Sequence, residues 1–207
     1  MFRVIKRAFD LISSLVLFIV ISPLFLMLML LVRIKLGSPV FFKQERSGMN
    51  QKSFYMLKFR TMTDERNSDG ELLPDEQRIT TFGKFLRSTS LDELPELLNI
   101  IKGDMSVIGP RPLPTIYNGY YKIDEMQRFL VRGGLIPPDS TEESALISWD
   151  EQLACEANYA CNLCFKNDLN IFLHVFKMVF RRGETDYGGY VRRALNEERE
   201  QVSNELY

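Results

Sequence analysis

The spacing of apolar and polar positions changes several times along the chain, and the first change is the largest. Residues 11–32 carry no charge and consist almost wholly of Leu, Ile, Val, Phe and Met. A run of this length reaches the ~20 residues an α-helix needs to cross the hydrocarbon core of a bilayer. Ser22-Pro23 interrupts its middle. Proline removes a helix hydrogen bond and crowds the preceding turn, so it kinks helices, and a serine hydroxyl can satisfy a freed carbonyl. Arg3, Lys6 and Arg7 precede the run, and Arg33 and Lys35 follow it. Cationic flanks favour the cytoplasmic side, and here both ends ask for it. A re-entrant helix that dips into one leaflet and returns, with Ser22 and Pro23 setting the kink, meets all these features. A straight span is the alternative. No small-residue cleavage site follows the run, which argues against a removed signal peptide.

Beyond it the period shortens to two. Residues 40–62 predict a β-hairpin, with Val40-Phe41-Phe42 opening one strand, Ser47-Gly48-Met49-Asn50 supplying the turn, and residues 53–62 forming the second strand. Tyr55, Leu57 and Phe59 should share one face and Lys58 and Arg60 the other, because strand side chains alternate. Those two cations read either as solvated decoration or as an anion site. Residues 64–77 are polar, with Asp69-Gly70 and Pro74 as turn signals, and predict an exposed loop. Residues 82–86 form a short amphipathic piece ending in Arg87. Residues 91–102 predict a helix closed by Gly103. An extended stretch, 105–108, runs into the rigid turn Gly109-Pro110-Arg111-Pro112. Residues 117–131, 149–163 and 169–182 predict further helices. The last has a strong apolar stripe and ends on Arg181-Arg182, a pattern suited to a membrane surface. Residues 133–141, with Pro137-Pro138, read as an irregular interruption, and the charged tail 190–207 as a solvated helix.

Composition narrows the function classes. The 207 residues suggest one domain with an appendage. The formal net charge of -1 argues against a globally basic nucleic-acid binder. With 45% hydrophobic and 26% charged residues, wholesale disorder is excluded. Cys155, Cys161 and Cys164 do not form a secreted disulfide framework and are expected as reduced thiols. With His174 they could in principle supply zinc ligands, but helical spacing and the ordinary burial of cysteine favour a packing role.

The stretch Ser88-Thr89-Ser90-Leu91-Asp92-Glu93-Leu94-Pro95-Glu96-Leu97 carries the candidate chemistry. Pro95 makes Asp92 the earliest comfortable N-cap of the helix that follows. Asp92 could be only a cap, with Glu93 complementing the helix dipole. The same carboxylate could instead act as a nucleophile or bind a metal. Arg87 lies five residues earlier and Arg111 sits on its rigid turn. Guanidinium forks match phosphate oxygens. Paired carboxylates, placed cations and a membrane segment suggest phosphate chemistry on a lipid. Asp64-Glu65 and Asp75-Glu76 lack such company and read as solvated.

These residues resemble the small monotopic phosphoglycosyl transferases, the bacterial sugar transferase family. The matching stretches are Phe9-Asp10, Ser22-Pro23, Lys58-Phe59-Arg60-Thr61-Met62, Asp64-Glu65-Arg66 and Gly70-Glu71-Leu72-Leu73-Pro74-Asp75. They continue with Phe82-Gly83-Lys84-Phe85-Leu86-Arg87, Ser90-Leu91-Asp92-Glu93-Leu94-Pro95, Gly103-Asp104-Met105-Ser106 and Ile108-Gly109-Pro110-Arg111-Pro112. The resemblance implies an α+β, membrane-monotopic protein: a re-entrant N-terminal helix (1–36), a cytoplasmic catalytic domain (37–189) with a small β-hairpin and interfacial amphipathic helices, and a charged tail (190–207). It implies a nucleotide sugar donor, usually a UDP-sugar, bound with Mg²⁺. Asp92 would attack the sugar-linked phosphate, and a polyprenol phosphate in the membrane would then accept the phosphosugar. Glu93 is the dyad partner, Asp92 and Glu93 are the metal ligands, and Arg87, Arg111 and Lys58 bind phosphate. The implied place is the cytoplasmic face of a bacterial inner membrane, among membrane lipid and without nucleic acid. A homodimer is left open.

One segment departs from the family pattern. Where relatives carry a Pro-Gly-Ile-Thr-Gly type stretch and then an Asn-Gly-Arg-Asn type stretch, residues 131–144 read Val-Arg-Gly-Gly-Leu-Ile-Pro-Pro-Asp-Ser-Thr-Glu-Glu-Ser. The register resumes at Ile147-Ser148-Trp149. Sugar-nucleotide contacts are expected there, so the change implies either an altered donor preference or a non-catalytic relative that serves as a scaffold. Retention of Asp92, Glu93, Arg87 and Arg111 favours the enzyme.

Overall fold

The computed structural model describes residues 2–141, 148–180 and 192–205. The apolar run lies within one helix, α1 (Phe2–Leu36), of 35 residues. At 1.5 Å per residue it is about 50 Å long. Among the described residues it alone is long and apolar enough to cross a membrane. Pro23 lies inside it. The N–H that proline lacks would have bonded the carbonyl of Ile19, four residues back. Ser22 Oγ donates to that carbonyl at 2.8 Å, so the Ser-Pro pair repairs its own defect.

The chain divides into two compact units, each assembled from separated segments. One comprises Leu11–Gln44 and Tyr55–Lys102. Here Phe25, Leu28, Val32 and Leu36, at helical spacing on α1, are buried against Phe59 and Leu86. Phe25, Phe41 and Phe59 add mutual ring contacts, with centroids 5.1–6.2 Å apart. The other side of α1, including Ile12, Ile19, Val20, Leu26, Leu30 and Ile34, is exposed. An uninterrupted apolar surface of this kind suits lipid better than water.

The predicted hairpin forms as β1 (Phe41–Ser47) and β2 (Ser53–Phe59), paired in a two-stranded sheet. Its faces differ from the simple alternation. Tyr55 is 61% exposed whereas Phe59 is 1% exposed, and Lys58 follows Phe54 and Met56 on the inward side. Arg60 is not a companion of Lys58. It is buried, and its guanidinium donates to the carbonyls of Ser38 and Met62 and pairs with Asp64. Residues 64–74 form the expected exposed loop, followed by the single turn α2 (Asp75–Arg78) and by α3 (Thr81–Ser88), capped by Thr80.

The continuous helix expected from residue 91 is divided. Leu91–Glu93 form one 3₁₀ turn, and α4 runs Glu96–Lys102. Pro95 has no N–H to return to the preceding turn, so the bonds there close at three residues, as from Leu94 N–H to Leu91 O. Gly103, at φ 101°, ends α4 as expected.

The second unit comprises Met1–Asp10, Glu45–Phe54 and Gly103–Tyr207. β3 (Met105–Ile108) pairs in parallel with β4 (Gly133–Ile136). The stretch expected to be irregular is therefore part strand, followed by a 3₁₀ turn, Pro138–Thr141. Its glycines have a steric role: a Cβ on Gly134 would lie 2.1 Å from the Gly109 nitrogen. Residues 117–131 are not one helix but parts of two 3₁₀ segments, Thr115–Gly119 and Glu125–Leu130. Tyr117, Tyr120 and Tyr121 pack against a cluster of Leu113, Trp149, Leu153 and Leu195, and this tertiary packing overrides the local pattern.

α5 (Trp149–Cys161) starts with a capping box between Ser148 and Glu151. α6 (Phe165–Phe180) begins earlier than expected and exposes Phe165, Phe172, Leu173 and Phe176. Arg181 and Arg182 lie outside the described residues. The tail helix, α7 (Leu195–Glu205), is docked rather than merely solvated: Leu195 is fully buried, and Arg199 pairs with Glu125 and Asp150. Asp10 is buried and accepts from Ser106 Oγ at 2.6 Å and from the Val107 N–H at 3.2 Å. Lys6 reaches Asp168 at 2.9 Å, so the first turns of α1 are tied to β3 and α6 by polar bonds.

Candidate active site around Asp92

Two local features assemble this site. A Cβ at Gly83 would lie 1.9 Å from the Thr61 carbonyl oxygen, so only glycine lets α3 lie against the chain leaving β2. That approach allows Arg87 Nε to donate to Thr61 Oγ1 at 3.1 Å. The second feature is Asn99, 2% exposed on α4. Its amide donates to the Tyr55 carbonyl at 2.8 Å and its oxygen accepts from the Leu57 N–H at 3.0 Å. A side chain thus completes the hydrogen bonding of β2, and α4 is held in register with it. Glu96 lies one turn before Asn99, and Lys58 one residue beyond Leu57.

The result is a cluster of charge. Lys58 Nζ lies 2.6 Å from Glu93 Oε1 and 3.3 Å from Glu96 Oε1. Asp92 is 8% exposed and Glu96 4% exposed. Asp92 is not the expected N-cap, since it sits within the 3₁₀ turn whose preceding residue, Ser90, has a left-handed backbone. Its carboxylate is not consumed in capping α4.

Three carboxylates surround one ammonium, and their protonation shows the imbalance. Burial raises the Asp92 carboxyl above its ordinary value and Glu93 adds to the rise, while Lys58 and Arg87 oppose it. Burial also pushes Glu96 up to about 7, with Lys58 opposing and Glu93 and Asp92 adding. Burial alone would lower Lys58, but Glu96, Glu93 and Asp92 outweigh it and hold the ammonium above its ordinary value. A half-buried cluster with more carboxyls than cations, two of them at raised values, is the environment expected of groups that handle charge.

Asp92, Glu93, Lys58 and Arg87 all belong to this unit. Arg111 belongs to the other. Its N–H donates to Glu156 Oε1 at 3.0 Å and its carbonyl accepts from the Arg128 guanidinium at 2.6 Å, so its backbone is fixed on both sides while its side chain is exposed. Asp139, from the divergent segment, shares this neighbourhood. Burial and Glu156 raise its carboxyl while Arg111 and Arg192 oppose the rise.

Asp92 and Glu93 suit Mg²⁺ by the chemistry of the donor set. That ion commonly takes one or two carboxylates and completes its octahedron with water and substrate phosphates. Among the described residues no group of three or more His, Cys, Asp or Glu side chains forms a ready-made cage. Sequence reasoning had no role for Glu96 or Asn99. The one available signal was the Asp92-Glu93-x-x-Glu96 spacing, and it acquires meaning only when α4 docks on β2.

The model of the bacterial sugar transferase family matches residues 1–182, and the chain belongs to that family. It is 43% identical over 181 residues to an uncharacterized sugar transferase of Bacillus subtilis, EpsL, across 87% of this chain and 90% of that protein. It is 32% identical over 199 residues to the undecaprenyl-phosphate galactose phosphotransferase of Salmonella typhimurium, across 87% of this chain and 41% of the relative. It is 41% identical over 136 residues to a UDP-glucose:undecaprenyl-phosphate glucose-1-phosphate transferase of Klebsiella pneumoniae, across 65% and 29%. The last two relatives are thus matched over less than half of their length.

Proposed function

We propose that the protein is a phosphoglycosyl transferase that moves a phosphosugar from a UDP-sugar to a polyprenol phosphate and so starts synthesis of a glycoconjugate. The observation that carries this reading is Asp92, buried beside Lys58 and Arg87 yet not spent on a helix cap. An Asp92 carboxylate oxygen attacks the sugar-linked phosphorus of the donor. The new bond is an acyl phosphate, and the bond to the bridging oxygen breaks. The nucleoside monophosphate leaves with the electron pair. A phosphate oxygen of the polyprenol phosphate then attacks the same phosphorus and displaces Asp92, giving polyprenol diphosphate sugar and restoring the carboxylate.

Both half-reactions bring anions together, so fixed cations must offset the repulsion. Lys58 and Arg87 do so beside Asp92. Mg²⁺ held by Asp92 and Glu93 would supply further charge neutralisation on the donor phosphates. Glu93, the more exposed acid of the dyad, assists with the metal and the acceptor. Undecaprenyl phosphate in the names of two relatives supports the lipid acceptor.

The test is turnover. Purified protein in lipid, given a panel of UDP-sugars, Mg²⁺ and undecaprenyl phosphate, should release UMP with at least one donor. Asp92→Asn should reduce release ~10⁴-fold or more, as loss of a nucleophile does. No release with any donor would leave the scaffold reading.

The same proposal places α1 re-entrant, with the site at the cytoplasmic face of the inner membrane. The cationic flanks at both ends and the Ser22-Pro23 pair support this. Single cysteines placed at residue 3 and at residue 43 of a cysteine-free variant should both resist a membrane-impermeant thiol reagent in intact cells. Labelling of residue 3 alone would identify a straight span.

A further inference from the structure

Glu96 is the residue of the cluster that the mechanism leaves unused. It is 4% exposed, fixed by α4, and shares the Lys58 ammonium with Glu93. The two acids differ in their freedom. The Glu93 side chain is 38% exposed and lies in a 3₁₀ turn, whereas the Glu96 side chain is 5% exposed and stands one turn from the doubly bonded Asn99. A lysine is a point charge on a flexible four-carbon stem. Left unheld, it loses rotamer freedom whenever it must be fixed. One movable and one immovable partner solve that problem.

We infer that Glu96 is a positioning residue: it holds the Lys58 ammonium at the edge of the Asp92–Glu93 dyad when Glu93 turns away, so that Lys58 meets the donor diphosphate already in place. The inference rests on the proposed reading of this site. Glu96 touches no reacting atom; it acts through Lys58.

Two variants and two readouts test this. Glu96→Gln keeps an oxygen within reach of Lys58 Nζ, and Glu96→Ala removes it. In steady-state assays Glu96→Ala should lower kcat/KM for the UDP-sugar about tenfold and leave KM for undecaprenyl phosphate within about twofold, with Glu96→Gln recovering part of the loss. The second readout needs no turnover. Amine-directed labelling followed by mass spectrometry should find Lys58 modified several-fold faster in Glu96→Ala than in the unchanged protein, with Glu96→Gln between them and Lys43 and Lys52 unaltered.

Equal Lys58 labelling in all three proteins overturns the inference, whether or not any donor is turned over. Equal loss on donor and acceptor, with a lowered thermal midpoint and unchanged Lys58 labelling, assigns Glu96 a structural role instead. If the unchanged protein turns over no donor while Lys58 labelling responds as stated, the positioning contact stands and the proposed reaction fails.

Discussion

The molecule contains two clusters of mixed charge built on different terms. In the unit that includes residues 103–207, Glu156 is fully buried and both its oxygens are met by donors. Its oxygens accept from the Arg111 N–H, from Gln152 Nε2 at 3.2 Å and from Arg128 Nε at 2.8 Å. Arg128 is 2% exposed, lies over the rings of Tyr121 and Phe129, and spends its remaining donors on Tyr121 and the Arg111 carbonyl. One anion meets one cation, and the pair fixes the backbone of Arg111. In the unit that includes residues 55–102, Glu93 and Glu96 share Lys58 and Asp92 lies within its field, and Asp92 and Glu96 are held above their ordinary values. The balanced cluster is scaffold. The unbalanced one holds unmet demand for positive charge, which a substrate complex with its cations can satisfy. Burial of charge alone does not mark a site; an uncompensated surplus does.

The comparison is broken most directly at the balanced cluster. Glu156→Ala leaves Arg128 buried without its partner and should cost about 3–5 kcal/mol of stability, read as a lowered denaturant midpoint in lipid nanodiscs. A loss below ~1 kcal/mol would mean that the pair is not the support described.

A smaller effect sharpens the contrast at the unbalanced cluster. The Glu96 carboxyl is raised from 4.5 in the ordinary case to about 7, first by burial. Between those values the folded protein binds more protons than the unfolded chain, so stability should fall as pH rises through this window and level off above it. The limit of the effect is ~3 kcal/mol. Glu96→Gln should flatten the curve and gain relative stability at pH 8, the reverse of the Glu156 result. Parallel pH–stability curves for the two proteins would remove the distinction between the clusters.

Part of the candidate site was legible along the chain. Adjacent Asp92 and Glu93 and the nearby Arg87 stand out because their chemistry is local, and the apolar run of α1 needs only a count of residues. The errors have one cause. Asp92 looked like an N-cap because Pro95 limits where a helix can start, yet the chain inserts a 3₁₀ turn and frees it. Tyr117, Tyr120 and Tyr121 mimic a helical stripe, but they serve the cluster around Trp149 and Leu153 through 3₁₀ turns. Lys58 and Arg60 alternate as if equivalent; one faces carboxylates and the other binds backbone carbonyls.

By itself, then, the order of residues determined a long apolar α1, a hairpin, and two adjacent carboxylates near cations, since these follow from hydrophobic period, turn chemistry and adjacency. Only the tertiary structure decided that Asn99 completes β2, that Glu96 joins Lys58, and that Glu156 anchors Arg111. Each of these is a hydrogen bond or ion pair between residues 38 to 45 positions apart. No local pattern encodes such a pair, because its geometry exists only once the helices have packed on the strands and excluded water.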